Sequence, residues 1–154
     1  MKQEATSSHR PTRREFLKAA AAALAAAQLG CSVLDDQERG PGGIPTRPLG
    51  KTGERVTIIG LGGWNIGVAE DADAIAIMQE AVDGGLTFFD NCWDYHDGHS
   101  EELMGKALEG GRRDKVFLMT KVCARDYEGA KRHLEESLRR LRTDRLDLWQ
   151  FHGI

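Results

Sequence analysis

An alternation of short apolar runs with helical segments is the feature that most constrains the fold of this chain. From Thr46 onward, four apolar runs follow one another at residues 57–61, 86–90, 115–121 and 145–152. The three longer segments between them carry apolar residues at helical spacing, which indicates amphipathic helices. Repetition of strand and helix in this order predicts βαβ units, with a parallel sheet and right-handed crossovers.

The sequence also predicts how this alternation begins and where its helices start. Residues 47–59, RPLGKTGERVTII, contain two β-prone pieces around a glycine-bounded turn and predict a small hairpin. Asp71 and Ser100 are predicted to cap the first two helices. Glu136 and Arg140 are predicted to form an ion pair on the exposed side of the third helix. The apolar stripe of that helix consists of Ala130, Leu134, Leu138 and Leu141.

Two architectures combine parallel strands with helices: the doubly wound nucleotide-binding fold and the (β/α)₈ barrel. No G-x-G-x-x-G motif follows the first predicted strand, which disfavours the doubly wound fold. The alternation of strands and helices fits a parallel barrel of the TIM type, which needs roughly 250 residues. Residues 46–154 therefore predict about the first half of such a barrel: an N-terminal hairpin plus four strands and three helices.

Residues 1–31 differ in character from the rest of the chain. The stretch TRREFLK at residues 12–18 contains an arginine pair, and an alanine-rich stretch follows at residues 19–29. That stretch is too short and too weakly apolar to span a bilayer. The order of charged, apolar and small residues resembles a bacterial twin-arginine (Tat) signal peptide, with Thr12 where serine is usual. An alanine-rich amphipathic helix is the alternative.

Two cleavage sites remain open for this signal. Residues 25–27 offer a small-residue site. Residues 29–31 resemble a lipobox that would leave Cys31 as a lipidated N-terminus, although Gln28 stands where an aliphatic residue is usual. We therefore expect export by the Tat machinery to the periplasm, or to the outer face of the membrane through a lipidated Cys31. Residues 32–45 are rich in glycine and proline and predict a flexible linker.

The composition disfavours several classes of partner. The chain of 154 residues carries a formal net charge of −3. Without its basic leader the remainder is more acidic still, so neither nucleic acid nor an anionic membrane surface is expected as a partner. The three cysteines do not make a disulfide framework.

Titratable side chains lie at or just after the ends of the last three predicted strands. Asp90 ends the second strand, Tyr95 follows in its loop, Lys121 ends the third strand and His152 the fourth. Functional side chains of parallel α/β folds gather at these ends. A lysine ammonium beside a phenol lowers the phenol's pKa, and a carboxylate would hold the lysine charged. The set predicts a general acid that protonates a carbonyl oxygen while hydride reaches the carbon, with His152 orienting that oxygen.

The residues of this region allow two further arrangements. His96, Asp97, His99 and Cys92 lie close together and could bind zinc, but their spacing matches no closed structural site, so no metal site is predicted. Cys92 and Cys123 each lie two residues beyond Asp90 or Lys121. A disulfide between them remains open in an oxidising compartment, while two buried free thiols are the expected state.

Four segments carry a resemblance to a known family. RPLGKTGERVTIIGLGGW resembles the opening hairpin and first strand of the aldo-keto reductases. FFDNCWDYHDGHSEELMGKAL resembles their Asp-x₄-Tyr…Ser-Glu segment, and MTKV and DLWQFH resemble their lysine and histidine segments. The resemblance implies that a catalytic tetrad is formed by Asp90, Tyr95, Lys121 and His152, with the tyrosine as proton donor.

The resemblance also implies a cofactor and a substrate class. It implies NADPH as the hydride source and a small aldehyde or ketone as the substrate, reduced to an alcohol. It places Gly62, Gly63 and Trp64 with Asp90 at the nicotinamide end of the cofactor site.

The sequence departs from the family pattern around the loop after the second strand. Asn91 and Cys92 stand where Thr-Ala is usual, and His96 and Asp97 intervene before Gly98. These changes leave the substrate open. The family's phosphate-binding loops lie in the second half of the barrel, so the chain by itself is expected to be inactive. A non-catalytic nucleotide-binding or interaction module on the same scaffold is the alternative function.

Overall fold

A computed structural model describes residues 38–153 of the chain. The predicted Tat signal at residues 1–31, with Cys31, lies outside the described residues, as does the first part of the predicted linker at residues 32–37. No helix within residues 38–153 is long and apolar enough to cross a bilayer.

Strands and helices alternate in the described part of the chain as the sequence predicts. The strands are Thr46–Pro48 (β1), Arg55–Thr57 (β2), Gly60–Gly62 (β3), Phe88–Asp90 (β4), Phe117–Val122 (β5) and Leu148–Phe151 (β6). The α-helices are Gly63–Ile66 (α1), Asp71–Asp83 (α2), His99–Ala107 (α3) and Tyr127–Arg140 (α4).

The strands form a hairpin and a parallel sheet. β1 and β2 pair antiparallel, with Thr46 opposite Thr57, which confirms the predicted hairpin. β3, β4, β5 and β6 pair in parallel in that order. Each strand therefore lies beside its neighbour in the sequence, with a helical connection between them, as in the repeating unit of a (β/α)₈ barrel.

The core lies between the parallel sheet and the helices. Its fully buried side chains include Met78 of α2, Phe89 of β4, Leu103 of α3, Leu118 of β5 and Leu141 just after α4. Each such side chain stabilises the fold by roughly 1.5–3 kcal/mol through its removal from water. These contacts fix the positions of the strands relative to one another, and therefore the positions of the strand ends, where the predicted tetrad lies.

The two predicted helix caps are wrong. α2 begins at Asp71 itself, and no side chain caps its first turn. Ser100 is the second residue of α3, and its buried hydroxyl donates a 2.8 Å hydrogen bond to the carbonyl oxygen of Gly63. The chain enters α3 through Gly98, whose φ of 91° is a conformation that glycine adopts without strain. The serine thus makes a tertiary contact in place of a local one.

The bounds of the first predicted strand, residues 57–61, are also wrong. Its first residue belongs to the hairpin, and Ile58 and Ile59 are 45% and 57% exposed. The parallel strand begins only at Gly60. A Cβ atom at this position would lie 2.7 Å from the ring of Phe88, so the close pairing of β3 with β4 requires a glycine.

Helix α4 is rotated relative to the predicted stripe. Gly129, His133 and Ser137 are its buried residues. A Cβ atom at Gly129 would lie 2.8 Å from the Cβ of Ala124, so the narrow side of the helix packs closely on the segment after β5. Of the predicted stripe, only Leu141 is fully buried, and the other members are half-buried: Ala130, Leu134 and Leu138.

The predicted exposed ion pair of α4 faces the inside of the molecule. Arg140 and Glu136 do approach to 3.7 Å, but the arginine side chain is only 13% exposed. Its Nη1 donates a 2.8 Å hydrogen bond to the carbonyl oxygen of Trp93. The pair therefore contacts the loop after β4 and does not belong to a solvated face.

Part of the predicted linker lies against the domain. Residues 38–45 are within the described range, and Ile44 packs against the core. A Cβ atom at Gly42 would lie 1.9 Å from the carbonyl oxygen of Gly84. The packed structure thus begins before Thr46.

The close approach of α3 and α4 can be tested at Gly105. A Cβ atom there would lie 2.3 Å from the backbone carbonyl oxygen of Arg140, which cannot move away as a side chain would. We expect Gly105→Ala to lower the free energy of unfolding by about 1–3 kcal/mol, as for other overpacked sites. Urea denaturation measures the change.

The matched control is Gly62→Ala. A Cβ atom at Gly62 meets nothing within 4 Å, and its φ of −96° suits any residue. Equal stability of the two variants would contradict the proposed backbone contact.

Candidate active site

Three strand ends bring the predicted tetrad to one end of the sheet. Asp90 is the last residue of β4, Lys121 lies one residue before the end of β5, and His152 directly follows β6. Tyr95 is the first residue of a short 3₁₀ turn in the loop after β4. Since the strands are parallel, all four side chains belong to the same end of the sheet.

The ammonium group of Lys121 is the centre of the arrangement. The residue is buried, with 8% of its surface exposed. Its Nζ forms an ion pair with Asp90 Oδ1 and donates to the carbonyl oxygen of Asn91 at 2.9 Å and to Tyr95 Oη at 3.4 Å. Burial lowers the pKa of Lys121, but the hydrogen bond and charge of Asp90, with Tyr95, outweigh this effect and raise it above its ordinary value. The amine therefore stays charged at neutral pH.

Aromatic rings and the lysine surround the phenol of Tyr95. The ring of His152 lies edge-on to it, with 5.6 Å between centroids, and the ring of Trp64 lies edge-on at 5.3 Å. Lys121 Nζ is 5.0 Å from the centroid of the tyrosine ring. The structure thus places both Asp90 and Tyr95 in contact with Lys121, and it places His152 beside the tyrosine ring.

The residues predicted to hold the cofactor lie beside β4. Gly62 ends β3 directly opposite Asp90 in the parallel pairing, and Gly63 begins α1. A Cβ atom at Gly63 would lie 2.6 Å from the side-chain oxygen of Asn91, so the backbone packs directly on that buried amide. Trp64 is 55% exposed and presents a broad apolar surface next to Tyr95.

The two residues that intervene before Gly98 form a left-handed turn. His96 and Asp97 have φ angles of 53° and 56°, which few non-glycine residues adopt. The His96 ring stacks on Trp64 with 4.5 Å between centroids, and its Nε2 lies 2.8 Å from the Trp64 carbonyl oxygen. This turn therefore forms a rim of the site above the tryptophan.

The zinc site weighed for His96, Asp97, His99 and Cys92 is not assembled in the structure. His99 Nε2 lies 2.8 Å from a carboxylate oxygen of Asp71, while the His96 ring stacks on the ring of Trp64. Cys92 is fully buried, whereas both histidines are at the surface. Proximity in the sequence is thus a poor guide to ligand sets in this loop.

Cys92 and Cys123 are free thiols in the structure, and their sulfur atoms are 3.8 Å apart. Cys92 is buried and Cys123 half-buried. Burial raises the pKa of both thiols, and the neighbouring carboxylate of Asp94 adds to the effect. Both groups are therefore protonated near neutral pH.

A buried carboxylate that the sequence analysis did not recognise lies behind the loop after β4. Glu101 is fully buried, and it accepts a 2.7 Å hydrogen bond from the hydroxyl of Thr120. Arg140 Nη1 lies 3.4 Å from the other carboxylate oxygen and also donates to Trp93 in the loop. Burial raises the pKa of Glu101, although these hydrogen bonds oppose the shift. A glutamate in the first turn of a helix is ordinary, and the one signal in the sequence is the resemblance of Ser100-Glu101 to the family's Ser-Glu segment.

Comparison with known proteins identifies relatives of this arrangement. Residues 58–154 match the aldo/keto reductase family. The chain is 41% identical over 127 residues to the uncharacterized oxidoreductase YrpG of Bacillus subtilis (strain 168). This match covers 69% of this chain and 39% of that protein. It is also 41% identical over 100 residues to the methylglyoxal reductase YeaE of Escherichia coli (strain K12). That match covers 61% of this chain and 34% of the Escherichia coli protein.

The solved structures agree with these matches. The aldo/keto reductase from Klebsiella pneumoniae in complex with NADP and acetate aligns with a TM-score of 0.60 and 39% identity, over 64% of this chain and 36% of that one. The chain spans between 34% and 39% of the length of these three relatives. The alignment confirms the predicted parallel barrel of the TIM type, of which the described residues form a part. By its match over residues 58–154, the chain belongs to the aldo/keto reductase family.

Proposed function

We propose that the complete protein reduces an aldehyde or ketone to an alcohol with NADPH, and that this chain supplies the proton. The observation that carries the proposal is the position of Lys121 Nζ, which contacts both the Asp90 carboxylate and the Tyr95 hydroxyl. The charge of this ammonium and its hydrogen bond to the hydroxyl can stabilise the negative charge that forms on the phenol oxygen as the proton is transferred. That is the property a general acid needs when a carbonyl oxygen gains negative charge.

Each residue of the proposed tetrad then has a distinct role. Tyr95 Oη gives its proton to the carbonyl oxygen, while Lys121 stabilises the phenolate that remains. Asp90 keeps the lysine charged and directs its Nζ. His152, beside the tyrosine ring, orients the carbonyl oxygen through a ring nitrogen.

The described residues fit the nicotinamide end of the cofactor. Gly62 lies opposite Asp90 with open space where a side chain would be, and Trp64 offers an exposed ring next to Tyr95. A flat aromatic ring and an unobstructed backbone suit a planar, partly apolar group. When bound, NADPH would supply the hydride that reaches the carbonyl carbon.

Two relatives support this choice of chemistry. The Klebsiella pneumoniae enzyme was solved with NADP and acetate, and the similar Escherichia coli protein is a methylglyoxal reductase. A small carbonyl compound is therefore the substrate class we propose, with methylglyoxal as the first compound to test.

We also propose that the protein is exported by the Tat machinery. The support lies in residues 12–18, TRREFLK, and in the alanine-rich stretch that follows them. Cleavage after residues 25–27 would release the protein into the periplasm, whereas lipidation of Cys31 would anchor it at the outer face of the membrane.

The proposed acid can be tested by removing one hydroxyl group. In the complete protein, we expect Tyr95→Phe to lower the rate of NADPH oxidation with methylglyoxal by about 10²–10⁴-fold, the usual contribution of a positioned general acid. The change leaves the ring and its aromatic neighbours in place, so NADPH binding, followed by fluorescence, is expected to persist.

Tyr127→Phe is the matched control for this experiment. Tyr127 is 77% exposed at the start of α4, and it makes no hydrogen bond or ring contact with the tetrad in the part of the chain that the structure describes. Equal rates for the wild-type protein and Tyr95→Phe would reject the proposed acid. NADPH binding without turnover of any carbonyl by the wild-type protein would favour the non-catalytic module.

The export signal is tested by conservative replacement of its arginine pair. We expect the double variant Arg13→Lys, Arg14→Lys to remain in the cytoplasm, because the Tat pathway reads the pair as a motif and not as charge alone. Cell fractionation and immunoblotting measure the distribution, with Arg10→Lys as the control. Export of the double variant to the wild-type level would contradict the proposal.

A further inference from the structure

Four side chains of metal-ligand type converge beside the proposed tetrad. The ligand atoms of Cys92, Asp94, Cys123 and His152 all lie within 4.8 Å of one another. We propose that these four side chains bind one zinc ion in a closed, tetrahedral site. This inference does not depend on the proposed reduction, because it rests on the convergence of the four groups alone.

The spacing of the ligand atoms suits a tetrahedral ion. The two sulfur atoms are 3.8 Å apart, Cys123 Sγ is 3.8 Å from His152 Nδ1, and that nitrogen is 3.5 Å from Asp94 Oδ1. Zinc bonds to sulfur at about 2.3 Å and to nitrogen or oxygen at about 2.0–2.1 Å, which places tetrahedral ligand atoms roughly 3.3–3.8 Å apart. These three distances agree with the tetrahedral values, and the other three pairs lie within 4.8 Å, so the ion would require only small movements of the side chains.

The backbone holds the ligands firmly. Cys92 donates its N–H to the side-chain oxygen of Asn91 at 2.8 Å, and its sulfur lies 3.7 Å from the carbonyl oxygen of Lys121. His152 donates its N–H to the carbonyl oxygen of Val122 at 2.9 Å. Three of the ligands, Cys92, Cys123 and His152, thus follow closely on the ends of three adjacent strands, a more rigid source than a single loop, and Asp94 lies in the loop after β4.

The chemistry of the donor set favours zinc over the hard cations. Two thiols and an imidazole are the sulfur and nitrogen ligands of structural zinc sites, and a carboxylate oxygen also binds zinc. Calcium and magnesium would instead require a shell of oxygen ligands. On binding, each thiol would release its proton to solvent and bind as a thiolate.

A disulfide between Cys92 and Cys123 accounts for less of the arrangement. Such a bond needs a sulfur–sulfur distance of about 2.05 Å, well below the 3.8 Å observed. It would also give no role to Asp94 and His152, which both point to the same place as the sulfur atoms. Zinc would use all four side chains.

The site would also fix the state of the His152 ring. With Nδ1 bound to zinc, the other ring nitrogen must carry the proton and can only donate a hydrogen bond. The proposed role of His152 towards a carbonyl oxygen requires such a donor. The ion would therefore act as a positioning element next to the tetrad, since four protein ligands leave no open position for substrate.

The proposal is tested on the full chain, purified under reducing conditions. We expect one zinc ion per chain by elemental mass spectrometry, and cobalt added after zinc removal is expected to give the intense visible absorption of a tetrahedral thiolate site. Cys123→Ser and Asp94→Asn are expected to lose the bound zinc and this absorption. Asp94 is half-exposed, so its variant remains informative even if the cysteine variant fails to fold.

Two controls separate this site from others in the chain. Cys31→Ser removes the third cysteine, and His99→Gln removes a histidine that faces Asp71. Both are expected to keep the zinc. Absence of zinc and cobalt binding when all thiols are reduced would overturn the proposal, as would zinc binding that persists in Cys123→Ser and Asp94→Asn. A mass that shows a Cys92–Cys123 disulfide in the protein as isolated, with no bound metal, would overturn it as well.

Discussion

The ion pair between Lys121 and Asp90 is the interaction on which the candidate site depends. A buried ammonium requires partners, because its removal from water is costly. Lys121 finds them in Asp90, in the Asn91 carbonyl oxygen and in the Tyr95 hydroxyl, all supplied by β4 and the loop after it. The pair therefore joins the ends of β4 and β5 and sets the position of the tyrosine at the same time.

A second set of contacts holds the same loop from behind. Arg140 of α4 donates to the Trp93 carbonyl oxygen and approaches the buried carboxylate of Glu101, which also accepts from Thr120 of β5. Two helices and a strand are thus tied to the segment that carries Tyr95. Removal of one partner would leave a buried charge unpaired, which is why such networks restrict a loop more than surface ion pairs do.

The sequence predicted those features that repeat along the chain or follow from the ends of strands. Hydrophobic periodicity indicated the order of strands and helices, and parallel pairing made Asp90 and Lys121 neighbours. Prediction from the sequence failed where a side chain bonds to a residue that is distant along the chain. Ser100 satisfies a helical cap pattern, yet it bonds to Gly63, and Glu101 lies far along the chain from Arg140. Local patterns contain no information about such partners, and the convergence of Cys92, Asp94, Cys123 and His152 was missed for the same reason.

The left-handed turn at His96 and Asp97 has a consequence for how this rim of the site can vary. Most side chains, and β-branched ones above all, are strained at the φ angles found there. Glycine, asparagine, aspartate and histidine tolerate them best, and these residues differ more in charge and hydrogen bonding than in bulk near the backbone. Selection acting on this rim would therefore change its polarity more readily than its shape.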